Sequence, residues 1–267
     1  MNFLVIKCGG SVVEKLPDRF YENIADIQKS GKWLPVIVHG GGPLISSFLN
    51  KLNIETSFRH GLRVTTEEVL DAAEIVLSGL VNKQIVRKLS MAKGKAFGMS
   101  GADGHLLTAV PVDDSGNLGF VGKIGGVKSE WLIQIIKEGY IPVISPISLD
   151  AKGQRYNINA DAAASAIAQA LKAHLCFISD IPGIWIEEDG KKKVLNKVTQ
   201  QEVVDMIAEK KIAGGMIPKV QAAIESLLEG VPEVVILNGF DDKSLLDYTN
   251  NGRAGTKIIL EGEAAHV

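Results

Sequence analysis

Two lysines and two glycine clusters carry the chemistry that is readable in this chain. Lys7 ends the apolar run Phe3-Leu4-Val5-Ile6-Lys7-Cys8 and stands beside Gly9-Gly10-Ser11. The run Leu34-Pro35-Val36-Ile37-Val38-His39 closes on Gly40-Gly41-Gly42-Pro43 in the same way. Each reads as a buried strand, a turn free of side chains and then a helix. Bare N–H groups at such a turn, backed by a helix N-terminus, form a concave trap for anions. Two of them predict a site that holds anionic groups from two sides. An ammonium in a buried run costs free energy unless it faces a cleft with an anionic partner, and open α/β sheets bind ligands at strand ends. The second lysine lies in Gly214-Gly215-Met216-Ile217-Pro218-Lys219, a helix entrance with a cation in its first turn. The helix dipole disfavours a cation there, and a bound anion reverses that sign.

Three consecutive glycines lose much backbone entropy on folding, so a geometric demand must offset it. Close approach of a ligand to the backbone is such a demand. Pro43 suits the first helical position, where its missing N–H does no harm. Arg63, in Gly61-Leu62-Arg63-Val64-Thr65, has the fork that grips a carboxylate with two hydrogen bonds, although taken alone it reads as a surface arginine. In Tyr156-Asn157-Ile158-Asn159-Ala160-Asp161, alternation puts Asn157 and Asn159 on one side. Helix capping accounts for Asn159 and Asp161 but not for Asn157. Ser179-Asp180-Ile181-Pro182-Gly183-Ile184 ends another strand and reads equally as a nucleotide wall or an ordinary turn.

Other chemistries lack their residues. The chain has no Gly-x-x-x-x-Gly-Lys-Ser/Thr loop, no Gly-x-Gly-x-x-Gly fingerprint and no Gly-x-Ser-x-Gly elbow. A formal net charge of −2 and the lack of a basic stripe argue against nucleic acid. Lys191-Lys192-Lys193 follows Glu187-Glu188-Asp189-Gly190, as in a charged hairpin tip. No segment reaches the roughly 18 apolar residues of a membrane span, and the N-terminus enters a strand without a signal-like stretch. Two cysteines, Cys8 and Cys176, without a Cys-x-x-Cys spacing suit a reduced cytoplasmic protein. With five scattered histidines they offer no zinc-ligand spacing.

The elements that must position these groups alternate between strand and helix. Strands are expected at 3–8, 34–39, 95–99, 141–144, 174–179, 233–237 and 256–260. Helices are expected at 18–29, 43–52, 67–91, 130–137, 161–171, 200–210 and 218–228. Thr65 with Glu68 and Thr199 with Glu202 have the capping-box spacing. The stretch 105–128, with the turn cluster Asp113-Asp114-Ser115-Gly116-Asn117, predicts an antiparallel hairpin, and a second is expected around Asp150-Ala151-Lys152-Gly153. Two lobes, residues 1–178 and 179–267, are expected to share one continuous sheet without a linker.

Lys7-Cys8-Gly9-Gly10, His39-Gly40-Gly41-Gly42, Gly61 to Thr65, Asn157 to Asp161, Ser179 to Ile184 and Gly214 to Lys219, in that order, resemble the amino acid kinase family. The resemblance spans essentially the whole chain, to Gly255-Thr256-Lys257-Ile258. It implies an α/β fold, a three-layer α/β/α sandwich around a central, mainly parallel sheet. The N-terminal lobe would hold an acyl amino acid and the C-terminal lobe ATP, with Mg²⁺ arriving on the ATP phosphates. Lys7 and Lys219 would flank the transferring phosphoryl group, and Asp161 would hold both lysines. Gly41, Gly42, Arg63, Asn157 and Asn159 would bind the acceptor, Arg63 taking its α-carboxylate. Gly9, Gly10, Asp180, Ile181, Pro182, Gly183, Ile184, Trp185, Lys211, Ile212 and Ala213 would line the nucleotide site. Within the family, the motifs are most similar to those of the members that phosphorylate N-acetyl-L-glutamate. Other acceptors, above all a carrier-bound aminoadipate, and a non-catalytic nucleotide sensor are the competing readings. Arginine-inhibited members carry an additional N-terminal helix, and a first strand at residue 3 predicts an arginine-insensitive homodimer paired through the helix after Thr66.

Overall fold

The computed structural model describes residues 1–112, 117–188, 191–212 and 214–260. The chain opens with β1 (Phe3–Cys8), a single helical turn α1 (Gly10–Val13), α2 (Asp18–Ser30), β2 (Leu34–His39) and α3 (Gly42–Lys51). A short hairpin follows, β3 (Phe58–Arg59) and β4 (Leu62–Arg63), and then a long helix. That helix begins as α4 (Glu67–Glu74), passes through a π-helical segment (Ile75–Val81) and ends as α5 (Asn82–Met91). Next come β5 (Ala96–Ser100), β6 (Leu107–Pro111), β7 (Val121–Val127), α6 (Ser129–Lys137), β8 (Ile141–Ser145), β9 (Ile147–Leu149), β10 (Arg155–Ile158) and α7 (Ala160–Leu171). The remainder is β11 (His174–Ser179), β12 (Trp185–Glu188), β13 (Lys191–Val194), β14 (Lys197–Thr199), α8 (Gln200–Ala208), α9 (Met216–Leu228), β15 (Glu233–Asn238), α10 (Ser244–Asn251) and β16 (Thr256–Ile259).

Eight strands form one sheet in the order β14-β16-β15-β11-β1-β2-β8-β5. Every pairing is parallel except β15 with β16. Both faces of the central strands are covered, which is why they read as unbroken apolar runs. On β1, Phe3 and Val5 join the core packed by α6, α7 and α9, while Leu4, Ile6 and Cys8 join the core packed by α2, the long helix and α10. Alternation then sends Lys7 to the α7 side. On β2 the same rule sends Val36 and Val38 to the α7 side and Ile37 to the other. Both cysteines are buried and free, and burial pushes the Cys8 thiol up to about 12.

The two expected hairpins form, β6 with β7 and β9 with β10, and they close together into a four-stranded barrel, β10-β7-β6-β9. The tip 113–116 lies outside the described residues, as do Asp189 and Gly190 between the paired strands β12 and β13. One cap differs from expectation. Thr66, not Thr65, caps α4, its side chain accepting from the Val69 N–H. Thr65 is drawn into extended pairing with Leu118 and Phe120, and its hydroxyl donates to the Arg63 carbonyl. That pairing shifts the helix start by one residue and leaves no Thr65–Glu68 box. The Thr199–Glu202 box forms as expected. Among the described residues, no helix is long and apolar enough to cross a membrane.

Candidate active site

The two glycine turns meet at the C-terminal ends of β1 and β2. Gly40 donates its N–H to the Cys8 carbonyl at 3.0 Å, binding one turn to the end of the neighbouring strand. A Cβ placed on Gly10 would lie 2.7 Å from the Gly42 nitrogen and 2.8 Å from the Gly41 nitrogen, so only a bare α-carbon fits there. A Cβ on Gly41 would come within 2.8 Å of Leu77, in the π-helical segment. The N–H groups of Gly10, Gly41 and Gly42 meet no protein acceptor among the described residues. They are the orphan donors that begin α1 and α3.

Lys7 stands at this edge with its side chain 12% exposed, and its Nζ lies 2.6 Å from Asp161 Oδ1. Asp161 occupies the first turn of α7, where the helix dipole favours a carboxylate. Asn159 caps that helix, Oδ1 accepting from the N–H groups of Asp161 at 2.7 Å and Ala162 at 3.3 Å. Backbone and dipole thus fix the carboxylate that holds Lys7.

Arg63 is buried, not the surface arginine its local sequence suggests. Its Nη1 donates to Thr56 Oγ1 at 2.8 Å, and its Nη2 to the Gly42 carbonyl at 3.0 Å and Ser46 Oγ at 2.8 Å. The Phe58 ring stacks on the guanidinium at 4.6 Å. Burial lowers its pKa from the ordinary arginine value. Asn157, on β10, donates weakly to Thr65 Oγ1 at 3.4 Å. Arg155 ties that strand to α4 through Asp71 at 2.7 Å and Glu74 at 2.5 Å. A cavity of about 360 Å³ joins Lys7, Gly10, the glycines 40–42, Arg63, Asn157, Asn159 and Asp161, with Phe58, Leu77, Val121 and Pro146 among its apolar walls. Such a volume matches a small-molecule site.

Of the residues expected around a nucleotide, Gly10 lines this cavity, whereas Gly9, Asp180 to Trp185, Lys211 and Ile212 do not. Lys219 rises from the first turn of α9, and its Nζ donates to Ser179 Oγ at 2.7 Å and lies 3.5 Å from Asp180 Oδ1. The expected bridge from Asp161 to both lysines is therefore not formed: Asp161 pairs with Lys7, whereas the end of β11, beside the α9 entrance, takes Lys219. The two lysines still share one edge of the sheet. Lys7 pairs with Phe177 in register, and Ser179 is two residues further along β11. Asp161 and Pro218 also line a common cleft of about 250 Å³ between α7 and α9. Its own backbone N–H, and then Lys219, hold the Asp180 carboxyl below the usual range.

Beyond Asp180, Ile181 and Trp185 are half-buried, Pro182 is exposed, and Gly183 and Ile184 are buried, with the Ile184 N–H donating to Thr256 Oγ1 at 2.8 Å. Gly9 is half-buried beside Lys7 Nζ and the Ile178 carbonyl. Lys211 is exposed, pairs with Glu209 and lines a cleft of about 210 Å³ with Ile186, Leu195 and Met206. Ile212 is buried, and Ala213 lies outside the described residues. Sequence reasoning passed over Thr56 and Ser46, and it named Ser179 only as the start of the 179–184 turn, not as a partner of Lys219. Each is a small polar residue whose partner is a cation on another element, which local sequence does not reveal.

Residues 2–238 match the model of the amino acid kinase family. The chain belongs to this family. Over all of its 267 residues it is 45% identical to an acetylglutamate kinase of Oceanobacillus iheyensis, whose full length is covered. Another acetylglutamate kinase, from Shouchella clausii, is 47% identical over 90% of this chain and 91% of its own. Among solved structures, a Streptococcus mutans UA159 protein superposes with a TM-score of 0.78 at 29% identity, over 96% of this chain and 98% of that one. As in other amino acid kinases, the α/β fold is built on a large, mainly parallel sheet.

Proposed function

We propose that this amino acid kinase transfers the γ-phosphoryl group of ATP to the side-chain carboxylate of N-acetyl-L-glutamate. The product would be N-acetyl-L-glutamyl 5-phosphate, an intermediate of arginine biosynthesis. The observation that carries this reading is a single cavity lined together by a buried Arg63, the Lys7–Asp161 pair and three unpartnered glycine N–H groups. The acetylglutamate kinases among its relatives support the choice of acceptor.

The chemistry asks for what these residues offer. A side-chain carboxylate, with a pKa of about 4.3, is ionised at neutral pH and needs no general base. The obstacle is an anion approaching a polyphosphate, and phosphoryl transfer is catalysed mainly by positioning and charge stabilisation. Arg63 would orient the acceptor through its α-carboxylate, with Asn157 and Asn159 beside it. Lys7, steadied by Asp161, and the N–H groups of Gly10, Gly41 and Gly42 would face the transferring group. Lys219 would reach it from the nucleotide side, exchanging its contact with Ser179. Residues 1–178 would form the acceptor lobe and residues 179–267 the ATP lobe, the nucleotide lying along Asp180 to Trp185 and Lys211 to Ala213. Asp161 and Asp180 are each engaged by a lysine, and Mg²⁺ would be carried by the ATP phosphates, where it neutralises charge. We place the enzyme in the cytoplasm as a homodimer joined along the helix that starts at Glu67, on which Ile75 and Leu80 are exposed.

Purified enzyme with ATP and a panel of acceptors, trapping acyl phosphate with hydroxylamine, tests the assignment. N-acetyl-L-glutamate should give the highest kcat/KM among acetylglutamate, aspartate, carbamate, uridylate and carrier-bound aminoadipate. No acyl phosphate from acetylglutamate overturns it.

A further inference from the structure

His39, the last residue of β2, is fully buried and takes no part in the chemistry above. It shares the face of Ile37, on the side of the sheet away from Lys7 and α7. Its Nδ1 lies 3.2 Å from the Gly40 carbonyl oxygen, and its Nε2 lies 3.2 Å from Asn82 Nδ2. Asn82, the first residue of α5, is also fully buried. Its Nδ2 lies 2.8 Å from the Val143 carbonyl and 3.1 Å from the Met99 carbonyl, and its Oδ1 accepts from Lys83 Nζ at 3.1 Å.

These contacts settle where the imidazole proton sits. Two carbonyl oxygens and an ammonium orient the Asn82 amide, because only its NH₂ end can face carbonyls and only its oxygen can face Lys83. His39 Nε2 therefore faces an amide nitrogen that cannot accept its proton and must be the bare nitrogen of the ring. The proton resides on Nδ1, where the Gly40 carbonyl accepts it. Burial, with a smaller push from the Lys83 charge, lowers the ring pKa to about 4 and keeps it neutral.

The consequence reaches the cavity through one peptide plane. In a trans peptide the C=O and the following N–H point in opposite directions, and among the described residues no peptide bond is cis. Holding the Gly40 carbonyl on His39 aims the Gly41 N–H the other way, towards Gly10, whose Cβ position would lie 2.8 Å from the Gly41 nitrogen. The Gly40 N–H is already held by Cys8. We propose that His39, kept as its Nδ1–H tautomer by Asn82, is a positioning residue that aims the Gly41 N–H at the transferring phosphoryl group. This rests on the reading of the glycine turns as an anion cradle.

Two substitutions and one spectrum test it. His39→Leu removes the donor, whereas His39→Asn places an amide N–H where Nδ1 stands. His39→Leu should lower kcat by roughly 10²-fold, the scale for losing one preorganised donor. The acceptor KM should stay within about threefold, because Arg63 grips the acceptor independently. His39→Asn should return kcat to within about fivefold of the parent, since a neutral hydrogen bond of similar strength is restored. In ¹⁵N NMR of the parent at neutral pH, the His39 ring, assigned among five histidines by its loss in His39→Asn, should carry its proton on Nδ1. A proton on Nε2, an imidazolium, a folded His39→Leu at parental kcat, or His39→Asn no better than His39→Leu overturns the proposal. If neither variant folds, the ring spectrum decides, the His39 signal then being assigned as the one retained when each of the other four histidines is replaced in turn. If the parent phosphorylates no carboxylate, the proposed function fails, while the spectrum still judges the clamp.

Discussion

Lys7 and Asp161, 154 positions apart in the chain, meet at 2.6 Å where the end of β1 faces the first turn of α7. The pair is partly enclosed, its side chains 12% and 32% exposed, so each charge is held in place rather than merely screened. Asp161→Asn should lower kcat by roughly 10²-fold by releasing Lys7. It should reduce stability by about 1–2 kcal/mol, less than for a fully buried pair because the carboxylate keeps contact with water. Steady-state kinetics and urea unfolding of one preparation check both; unchanged turnover refutes the assigned role of the pair.

Lys219→Ala should leave ATP binding measurable by calorimetry while turnover drops roughly 10²–10³-fold. Lys219 rests on Ser179 and Asp180 in this structure, so its loss should perturb the fold little. A variant with parental kcat removes Lys219 from the mechanism.

Arg63→Lys should raise the acceptor KM by roughly 10-fold or more, with kcat changed less. A lysine retains the charge but loses the fork that reaches Thr56, Ser46 and the Gly42 carbonyl together. An effect on kcat alone would mean that Arg63 does not anchor the acceptor.

Gly10→Ala brings a methyl group to within 2.7–2.8 Å of two backbone nitrogens. The two turns must separate, so kcat/KM should fall by at least about 10²-fold. Crystallography of the variant should show widened turns, and an active variant with undisturbed turns contradicts the close approach.

Stability should depend on pH through His39. Its folded pKa, about 4, lies below the ordinary 6.5, so between these values the unfolded chain binds more protons. Stability then rises with pH, is complete above about 6.5, and is lost as pH falls towards 4. The full window corresponds to about 3 kcal/mol. Urea unfolding at pH 7 and pH 4.5 should show this component in the parent and not in His39→Asn; equal slopes in the two proteins refute it.

Much of the frame was legible because it is local physics. Apolar runs bounded by glycine mark β1 and β2 almost to the residue, and the Asn159 cap and the Thr199–Glu202 box form where their spacing puts them. The Thr65 box did not form, because pairing with Leu118 and Phe120, which is invisible locally, competed for the same residue. Likewise β14 and α10 were missed, being short elements whose stability comes from packing on neighbours.

By itself, then, the sequence determined the strand–helix alternation, the two glycine turns and the types of charged residue set beside them. Only the tertiary structure decided that Arg63 is buried, that Asp161 pairs with Lys7 while Ser179 and Asp180 hold Lys219, and that His39 and Asn82 lock the Gly40 peptide. The reason is range. Turns and caps are settled within a few residues, whereas a buried polar group takes whichever partner packing brings within 3 Å or so, and that partner stands on another element.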